Sequence, residues 1–314
     1  MSNVFSHQPV LLDPVLHWLA PSPGDVVLDG TVGGAGHACA LWRHIAPTGL
    51  VVGLDRDPAA LAAAGDRLAE EGARHQLHRT TFDRLAELGL PPLDVVLLDI
   101  GVSSPQLDRA ERGFSFRQAG PLDMRMDPDA PMTAADMLRE ASEAELARVF
   151  FELGEERQGR RVARALVAHR EAGGWWDNTA TLADFIARIV GRGSGQIHPA
   201  TRVFQALRIA VNDELGMLRR ALPAAVAALK PGGRLGVITF HSLEDRIVKQ
   251  FFQGEARGCI CPPRQPVCTC SHRPSLEVVT RKPVVASDEE ARGNPRARSA
   301  KLRVARRLTV PARA

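Results

Sequence analysis

The sequence predicts a doubly wound, Rossmann-like α/β fold that carries an inserted, mostly helical domain. Three observations support this prediction. Short apolar segments alternate with helical patterns over roughly the first hundred residues, which is typical of a parallel sheet. This alternation stops between about Pro105 and Ala200, where helical patterns occur without a convincing buried strand. It then resumes with a helix and further strands towards the carboxyl end.

The first strands and helices follow from apolar runs and the turn residues between them. Proline suits the first turn of a helix, so Pro58 begins the second predicted helix. Ligands of doubly wound sheets bind at the carboxyl ends of the strands, where the turns considered below all lie. The predicted strands cover Val26–Gly30, Leu50–Leu54, Gln76–Thr81 and Asp94–Asp99, and the helices cover about 37–46 and 58–71.

The remaining elements divide the chain into two domains. We expect residues 1–104 and 205–314 to form the ligand-binding α/β domain and residues 105–204 to form an inserted helical domain. A helix is expected to reach Lys230 and to be followed by a Pro-Gly-Gly turn. Two late strands should close the sheet as an antiparallel pair. The predicted helices of the insertion are Glu143–Phe151, Arg160–Arg170 and Leu182–Val190, and the later strands are Leu235–Phe240, Leu276–Thr280 and Ala300–Arg306.

Composition excludes several classes of protein. The chain has 314 residues, of which 45% are hydrophobic and 24% charged, as in ordinary globular proteins rather than disordered or fibrous ones. No apolar run approaches a membrane span, and the amino terminus lacks the pattern of a signal peptide. We therefore expect a cytoplasmic protein, without a membrane partner and without stable disulfides.

Positive charge is concentrated at the carboxyl end. The net charge is only +4, but residues 292–314 hold eight Lys or Arg and no Asp or Glu. Such a segment could contact phosphates, and a solvated face on a late strand is an equally good interpretation.

A glycine-rich turn and a later acid predict a cofactor that contains adenosine. The segment from Asp29 to Gly36 follows a strand and opens a helix, where glycines let a ligand approach the backbone. Asp55 ends the second strand, where a carboxylate can accept hydrogen bonds from ribose hydroxyls. The dinucleotide spacing fails at Cys39 and no ATP-binding P-loop is present, so S-adenosylmethionine fits better. Alternatively, the glycines serve only a tight turn.

The fourth strand ends in Asp99 and leads to Ser103-Ser104-Pro105, a short polar segment followed by proline, as found beside the target nitrogen of amine methyltransferases. Taken with this segment, the chain resembles the bacterial 16S ribosomal RNA (cytosine-N4)-methyltransferase family, also called MraW. The matching segments, in the family's order, are 7–12, 29–37, 53–58, 97–108, 112–116, 120–127, 198–215, 240–249 and 294–305.

The resemblance implies a class I methyltransferase fold and methyl transfer from S-adenosylmethionine to the N4 amine of a cytidine. The implied substrate is 16S rRNA, at the decoding centre of the small ribosomal subunit. Two departures stand out: Ala35 replaces a glycine usual in the family, and Leu138-Arg139 stands where an asparagine is more usual. The implied cofactor contacts are Gly34, Ala35, Gly36, His37, Asp55, Phe82, Asp99 and Gln106.

Catalysis should depend on alignment and on acceptors for the amine hydrogens, because the lone pair of a cytosine amine is conjugated with the ring. The candidates are the carboxylate of Asp99, carbonyls near Gly101, and the hydroxyl of Ser103 or Ser104.

Further side chains are candidates for substrate contact, each with a structural alternative. Phe114 and Phe116 could stack on an unstacked base or form a buried strand edge. His241 could position the base or cap the next helix through Ser242. A helical stripe could contact substrate or cofactor, or face solvent; it consists of Arg202, Gln205, Arg208 and Asn212.

Four late cysteines form a C-x-C-x6-C-x-C pattern: Cys259, Cys261, Cys268 and Cys270. Four thiolates suffice for a tetrahedral structural zinc, although C-x-x-C spacing is more usual. Free surface thiols and a redox pair are the alternatives.

Two other functions are compatible with parts of the sequence. A DNA amine methyltransferase should show an aromatic residue after Pro-Pro at the fourth strand, and Pro105-Gln106 does not supply one. A zinc-stabilised, non-catalytic nucleic-acid-binding protein with a vestigial cofactor fold should not bind S-adenosylmethionine. The oligomeric state is not predicted.

Overall fold

The computed structural model describes residues 9–191, 198–262, 265, 267–270 and 272–309. Residues 7 and 8 of the first matching segment lie outside them, and so do the side chains of Ser104 and Pro105. The strands are β1 (Val26–Asp29), β2 (Leu50–Asp55), β3 (His75–Arg79), β4 (Leu93–Asp99), β5 (Leu229–Thr239), β6 (Leu276–Val278), β7 (Val284–Val285) and β8 (Lys301–Arg307).

The helices follow the same chain order. The α-helices are α1 (Leu12–Leu19), α2 (Gly36–Ile45), α3 (Pro58–Glu70), α4 (Ser104–Asp108), α5 (Ala134–Glu140), α6 (Glu143–Glu152), α7 (Gly159–Glu171), α8 (Thr179–Val190), α9 (Thr201–Asn212), α10 (Glu214–Ala228), α11 (Ser242–Glu255) and α12 (Asp288–Gly293). Three short 3₁₀ helices cover Phe82–Leu88, Ala110–Arg112 and Pro295–Ser299.

Tertiary contacts divide the chain into two compact units. The first unit comprises Met1–Gly101 with Leu215–Ala314, and the second comprises Val102–Glu214. The first division between the units follows Gly101, three residues before the expected division after residue 104. The second follows Glu214, ten residues after the expected division at residue 204.

The first unit is built on one mixed sheet with the order β3-β2-β1-β4-β5-β8-β6, and β7 pairs with β8. The strands from β3 to β5 are parallel, whereas β8 runs antiparallel to β5 and β6. The chain moves outward from β1 to β3 and then returns to β4 on the other side of β1. This reversal opens a crevice at the carboxyl ends of β1 and β4, where doubly wound sheets bind ligands.

Both faces of this sheet are covered, because successive strand residues point to opposite sides. On β1, Val27 joins the core formed with α1, α2 and α3, and Leu28 joins the core formed with α10 and α11. Helix α3 begins at a strong start signal: the Asp57 carboxylate accepts a hydrogen bond from Ala59 N at 3.0 Å, and Pro58 follows it. The predicted doubly wound sheet is therefore confirmed, including its antiparallel carboxyl-terminal strands.

One predicted boundary was wrong. The helix expected to reach Lys230 ends at Ala228, and β5 starts at Leu229. Pairing with β4 jumps from Leu93↔Leu229 to Val95↔Arg234, so the predicted Pro-Gly-Gly turn is an irregularity inside the strand. Gly232 has φ +89°, a left-handed value that glycine adopts at little cost.

The second unit is helical, and in the part that the structure describes it contains no strand. Its three predicted helices correspond to α6, α7 and α8 within two residues at most boundaries. Capping boxes start α5, α6 and α8, with Thr133, Ser142 and Asn178 at the respective N-caps. Among the described residues, no helix has both the length and the apolar character needed to cross a membrane.

Candidate active site and cofactor pocket

The glycine-rich turn between β1 and α2 is held tightly against its neighbours. Gly30 N donates to Leu97 O at 2.9 Å, and Val32 N donates to Leu54 O at 2.9 Å. A Cβ on Gly30 would come within 2.5 Å of Leu98 Cδ2, so a side chain there would disturb the sheet. The turn therefore presents its backbone at the crevice beside β1.

Two residues of this turn adopt left-handed backbone angles. Gly33 has φ +48° and Ala35 has φ +59°. Ala35 stands where the family usually has glycine, and the left-handed region costs an alanine about 1 kcal/mol or more. The buried Ala35 methyl group, 0% exposed, packs in the core and offsets part of that cost.

The Asp55 carboxylate fixes the turn from the end of β2. Its Oδ2 accepts a hydrogen bond from Gly33 N at 3.0 Å, and its Oδ1 accepts one from Asp57 N at 2.9 Å. Each carboxylate oxygen has a second lone pair, so Asp55 can still accept bonds from a ligand. Burial raises the pKa of Asp55, and the two backbone donors partly oppose that rise.

Asp99, at the end of β4, holds a buried acceptor without a partner. Its Oδ1 has no hydrogen-bond partner in the described structure, although 24% of the side chain is exposed. Its backbone N–H donates to Thr31 Oγ1 at 2.7 Å, which ties β4 to the glycine turn. Burial raises the pKa of Asp99 to about 8, and repulsion from Asp29 and Glu244 adds to the rise.

His37 faces Asp99 from the first turn of α2. Its Nε2 lies 2.9 Å from Val10 O, and its Nδ1 lies 3.7 Å from Asp99 Oδ2. Since a carbonyl oxygen only accepts hydrogen bonds, Nε2 must carry the proton. Burial lowers the pKa of His37 to about 4, so the ring is neutral near pH 7 and turns an unprotonated Nδ1 towards Asp99.

Four acidic side chains meet at this edge of the sheet: Asp29, Asp55, Asp99 and Glu244. Burial raises the pKa of Asp29 to about 7, and the charge of Asp55 adds to the rise. Asp29 is 1% exposed and Glu244 is 0% exposed. Carboxyl groups this close together repel one another when ionised, so the proton stays bound to higher pH. A positively charged ligand would reduce that repulsion, lower the pKa values and favour the carboxylate forms.

Phe82 lies against the glycine turn on the face of the sheet that packs against α10 and α11. A Cβ on Gly30 would come within 3.2 Å of Phe82 Cβ, and the ring is 8% exposed in the core. The Phe82 side chain therefore packs directly against the turn at Gly30.

His241 sits after β5 at the same edge. It is the N-cap residue of α11, in line with the capping alternative, and Ser242 is the first helical residue. Glu244 instead accepts hydrogen bonds from Phe240 N at 2.8 Å and His241 N at 3.3 Å. Its Oε1 also lies 3.0 Å from His241 Nε2.

In the second unit, Ser103 N donates to Gln106 Oε1 at 2.9 Å, and Gln106 is 7% exposed. The side chain of Gln106 is thus committed to the loop that follows β4. The Ser104 side chain lies outside the described residues.

Phe114 and Phe116 belong to the core of the second unit. Phe114 is 8% exposed. The Phe116 ring lies 4.8 Å from His198 and 4.9 Å from Phe204, measured between ring centroids. Both lie in an irregular segment rather than in a strand. Burial favours a packing role over base stacking, because a buried ring must leave its pocket before it can stack.

The helical stripe on α9 binds its own unit. The Arg208 guanidinium forms a bidentate salt bridge with Glu214, with Nε donating to Oε1 at 2.8 Å and Nη2 donating to Oε2 at 3.0 Å. Asn212 donates to Met124 O at 2.7 Å and accepts from Met126 N at 2.8 Å, and it is 5% exposed. Arg202 and Gln205 reach the carbonyls of Glu155 and Leu153, each at 3.4 Å. Arg208 and Asn212 therefore fasten neighbouring segments to α9, whereas Arg202 is exposed and Gln205 is half-buried.

The basic carboxyl-terminal segment is partly internal. Arg303 pairs with Asp245 at 2.6 Å, and Arg306 pairs with Glu277. Arg303 is 6% exposed because β8 lies between β5 and β6. The interpretation of β8 as a solvated strand face was therefore wrong for its central residues.

The four late cysteines converge. Their Sγ atoms all lie within 4.8 Å of one another, so the cluster could hold a metal ion. Cys39 is separate and buried in α2.

Comparison with known proteins identifies the family. The model of the MraW methylase family matches residues 4–308. The chain belongs to the MraW methylase family. The resemblance seen in the sequence is therefore confirmed, and it extends over almost the whole chain.

Individual relatives of this MraW chain are similar along its length. Ribosomal RNA small subunit methyltransferase H of Heliobacterium modesticaldum is 55% identical over 312 residues, covering 97% of this chain and 99% of that protein. The protein of the same name from Geobacter sulfurreducens is 53% identical over 310 residues, with 97% and 99% covered.

Solved structures show a weaker likeness to this MraW chain. An O-methyltransferase from Thermotoga maritima aligns with a TM-score of 0.45 at 11% identity, covering 99% of this chain and 71% of that one. An rRNA methylase from Streptococcus thermophilus gives 0.42 at 10% identity, with 95% and 94% covered. Likeness at this level is too weak to add to the family assignment.

Two contributors to the pocket of this MraW methylase escaped the sequence reasoning. Thr31 joins the ends of β1 and β4 through its hydroxyl, and Glu244 lies beside His241. Glu244 stands three residues after the N-cap, at the capping-box position, so the spacing could have shown its bonds to the backbone. Nothing in the spacing of Thr31 shows that it reaches β4.

Proposed function

We propose that this protein transfers a methyl group from S-adenosylmethionine to the exocyclic N4 amine of a cytidine in 16S rRNA. The observation that carries the proposal is the buried, unpartnered Oδ1 of Asp99 among carboxyls at the sheet crevice, in a member of a methylase family. The name of its relatives, ribosomal RNA small subunit methyltransferase H, supports the small-subunit substrate.

The first unit offers the groups that a cofactor of this chemistry needs. The Asp55 carboxylate retains lone pairs for the two ribose hydroxyls, and we assign the backbone of Gly34–Gly36 to close contact with the cofactor. We assign the remaining cofactor contacts to His37, Phe82, Asp99 and Gln106. When bound, S-adenosylmethionine supplies a methyl group on a positively charged sulfur, which makes that methyl strongly electrophilic. The raised pKa values of Asp29 and Asp99 mark a pocket that gains by receiving positive charge.

Asp99 has the central catalytic role in this proposal. Its carboxylate accepts a hydrogen bond from the cytosine amine, which turns the nitrogen lone pair out of conjugation with the ring. It also stabilises the positive charge that develops on the nitrogen during transfer. The hydroxyls of Ser103 and Ser104 are assigned to the second amine hydrogen, and His241 to holding the base.

Recognition of RNA is assigned to the second unit, Val102–Glu214, in place of the narrower range 105–204. The target base must leave its stack to reach a site of this kind, and a single-stranded or loop region makes that inexpensive. In the α9 stripe we assign direct RNA contact to the exposed Arg202, whereas Arg208 and Asn212 act by holding neighbouring segments in place. We assign the protein to the cytoplasm, because the proposed substrate is ribosomal RNA.

The four-cysteine cluster stays outside this chemistry. Four thiolates complete a tetrahedral shell and leave no open position for a substrate, so a zinc ion there would be structural.

The test uses small ribosomal subunits from cells that lack the modification. Wild-type protein and labelled S-adenosylmethionine should yield labelled N4-methylcytidine on nucleoside analysis. Asp99→Ala should reduce the rate by at least about a hundredfold, because it removes the amine acceptor. Asp94→Asn is the matched control, since Asp94 lies on the same strand at the opposite edge and contacts Val26 N and Lys230.

Full activity of Asp99→Ala would refute the catalytic assignment. Labelling of DNA oligonucleotides but not of ribosomal subunits would favour a DNA methyltransferase. Absence of S-adenosylmethionine binding in calorimetry would favour a non-catalytic nucleic-acid-binding protein.

A further inference from the structure

The segment between α11 and β6 brings four thiols together, and none of its described residues from Arg257 to Arg273 is buried. Three of the Sγ–Sγ distances are 3.5 Å (Cys259 to Cys268), 3.6 Å (Cys268 to Cys270) and 3.8 Å (Cys270 to Cys259). Cys261 completes the group, and all four sulfurs lie within 4.8 Å of one another.

These distances match a shared metal ion better than a disulfide. A zinc–sulfur bond of about 2.3 Å implies about 3.8 Å between the sulfurs of a regular tetrahedron. A disulfide would bring two sulfurs to about 2.0 Å and leave the other pair separate. The observed arrangement is instead one group of four.

Backbone amides also point at the sulfurs. Cys261 N lies 3.4 Å from Cys259 Sγ, Ile260 N lies 3.5 Å from Cys270 Sγ, and Thr269 N lies 3.4 Å from Cys261 Sγ. Hydrogen bonds from outer groups of this kind orient metal ligands and stabilise their negative charge. The first of these contacts lies within one C-x-C pair, and the other two cross from one pair to the other.

Hydrogen bonds join the two ends of the segment, whereas the described apolar side chains between those ends are exposed. Ser275 N donates to Glu255 O at 2.9 Å, and Ser275 Oγ donates to the Glu255 carboxylate at 2.5 Å, joining positions 20 residues apart. Beyond that closure, Ile260 is 55% exposed and Val267 is 69% exposed. A segment that buries so little apolar surface needs another cross-link to keep one conformation.

We infer that Cys259, Cys261, Cys268 and Cys270 bind one zinc ion as a structural tetrathiolate site, which fixes the segment between α11 and β6. Four soft thiolate ligands in tetrahedral geometry select zinc or iron, and the closed ligand set favours a structural role. This inference is independent of methyl transfer, because the thiols of the cluster take no part in the proposed chemistry.

The experiment measures metal bound to the full chain, purified under reducing conditions after expression with added zinc. Elemental analysis should give about one zinc per chain and little iron. Cobalt exchanged into the site should show the intense visible absorption of a tetrahedral tetrathiolate complex. In the Cys259→Ser/Cys268→Ser double variant, zinc should fall at least about tenfold, because two ligands are lost. Cys39→Ala is the matched control and should retain the metal.

A second readout remains interpretable if the double variant folds poorly. Chelation of wild-type protein should increase tryptic cleavage after the exposed Arg257, which precedes Gly258, and added zinc should reverse the effect. Zinc near zero after loading, cysteines found as disulfides by mass spectrometry, or stoichiometric iron would each overturn the inference.

Discussion

Replacement of Asp99 with Asn should change how the stability of the unliganded protein depends on pH. The native pKa of Asp99 is raised from 3.8 to about 8, so the folded chain holds a proton there that the unfolded chain releases. Stability contributed by this group is present at low pH and is lost as the pH rises towards 8. Asparagine resembles the protonated carboxyl but cannot ionise, so the variant should not show this loss.

The titration of His37 determines the pH range in which the effect of Asp99 on stability can be measured. Its native pKa is lowered from 6.5 to about 4, so stability rises with pH between those values and opposes the trend from Asp99. Above pH 6.5, the folded His37 is neutral and the unfolded His37 loses its remaining half proton, so the opposing effect fades by about pH 7.5. One proton corresponds to about 1.4 kcal/mol per pH unit, and the slope halves as the pH reaches the native pKa. Between pH 6.5 and 8, Asp99 should therefore cost the wild type about 1.5 kcal/mol relative to the variant.

Urea unfolding of both proteins, measured at several pH values without ligand, provides the assay. Taking the difference between the two proteins removes the pH effects of the groups that both retain and that do not interact with Asp99. Parallel stability curves from pH 6.5 to 8 would refute the reasoning, since they would mean that Asp99 is already ionised in the folded protein.

Two further predictions concern the second unit. Asn212→Ala should destabilise the protein by about 2–4 kcal/mol, because it removes the hydrogen-bond partner of Met124 O and Met126 N. Gln205→Ala removes one long hydrogen bond and should cost under about 1 kcal/mol. Denaturation of both variants measures the two losses. Gly113→Ala should cost about 2–4 kcal/mol, because φ is +70° and the new Cβ would lie 2.1 Å from Pro121 O. Gly173→Ala, with φ +80° and no atom within 4 Å, should show only the smaller backbone cost, and equal losses in the two glycine variants would contradict the steric argument.

The sequence was most informative where local chemistry and tertiary structure agree. The run Val26-Val-Leu-Asp29 could only be a buried strand, and the glycines after it required a tight turn. Because parallel strands end at one edge, the order of elements was enough to expect Asp29, Asp55 and Asp99 near one another. Their mutual electrostatic effects bear out that expectation.

The sequence was least informative where a polar side chain satisfies a distant backbone group. Arg208 and Asn212 have the spacing of an exposed stripe, but Asn212 bonds to Met124 and Met126, which are more than eighty residues away in the chain. Helical periodicity specifies only the face on which a residue lies, and not what packs against that face. The irregular start of β5 was missed for a similar reason, because only the register with β4 shows that strand pairing begins before Gly232.

His37 and Asp99 together suggest how the pocket keeps its acceptor inactive until a ligand arrives. Val10 O requires the proton of His37 to lie on Nε2, so the unprotonated Nδ1 faces Asp99 at 3.7 Å. Two lone pairs at that approach would repel, and a proton on Asp99 removes the conflict, in agreement with its raised pKa. A cation bound in the pocket lowers that pKa and releases the proton. The carboxylate then becomes available to accept from an amine only when a positively charged methyl donor is already bound. Binding of S-adenosylmethionine should therefore strengthen with pH up to about 8, and binding of its uncharged thioether product should depend less on pH. Calorimetry of both ligands in buffers of different ionisation enthalpy would measure the released proton, and equal release for the two would contradict this coupling.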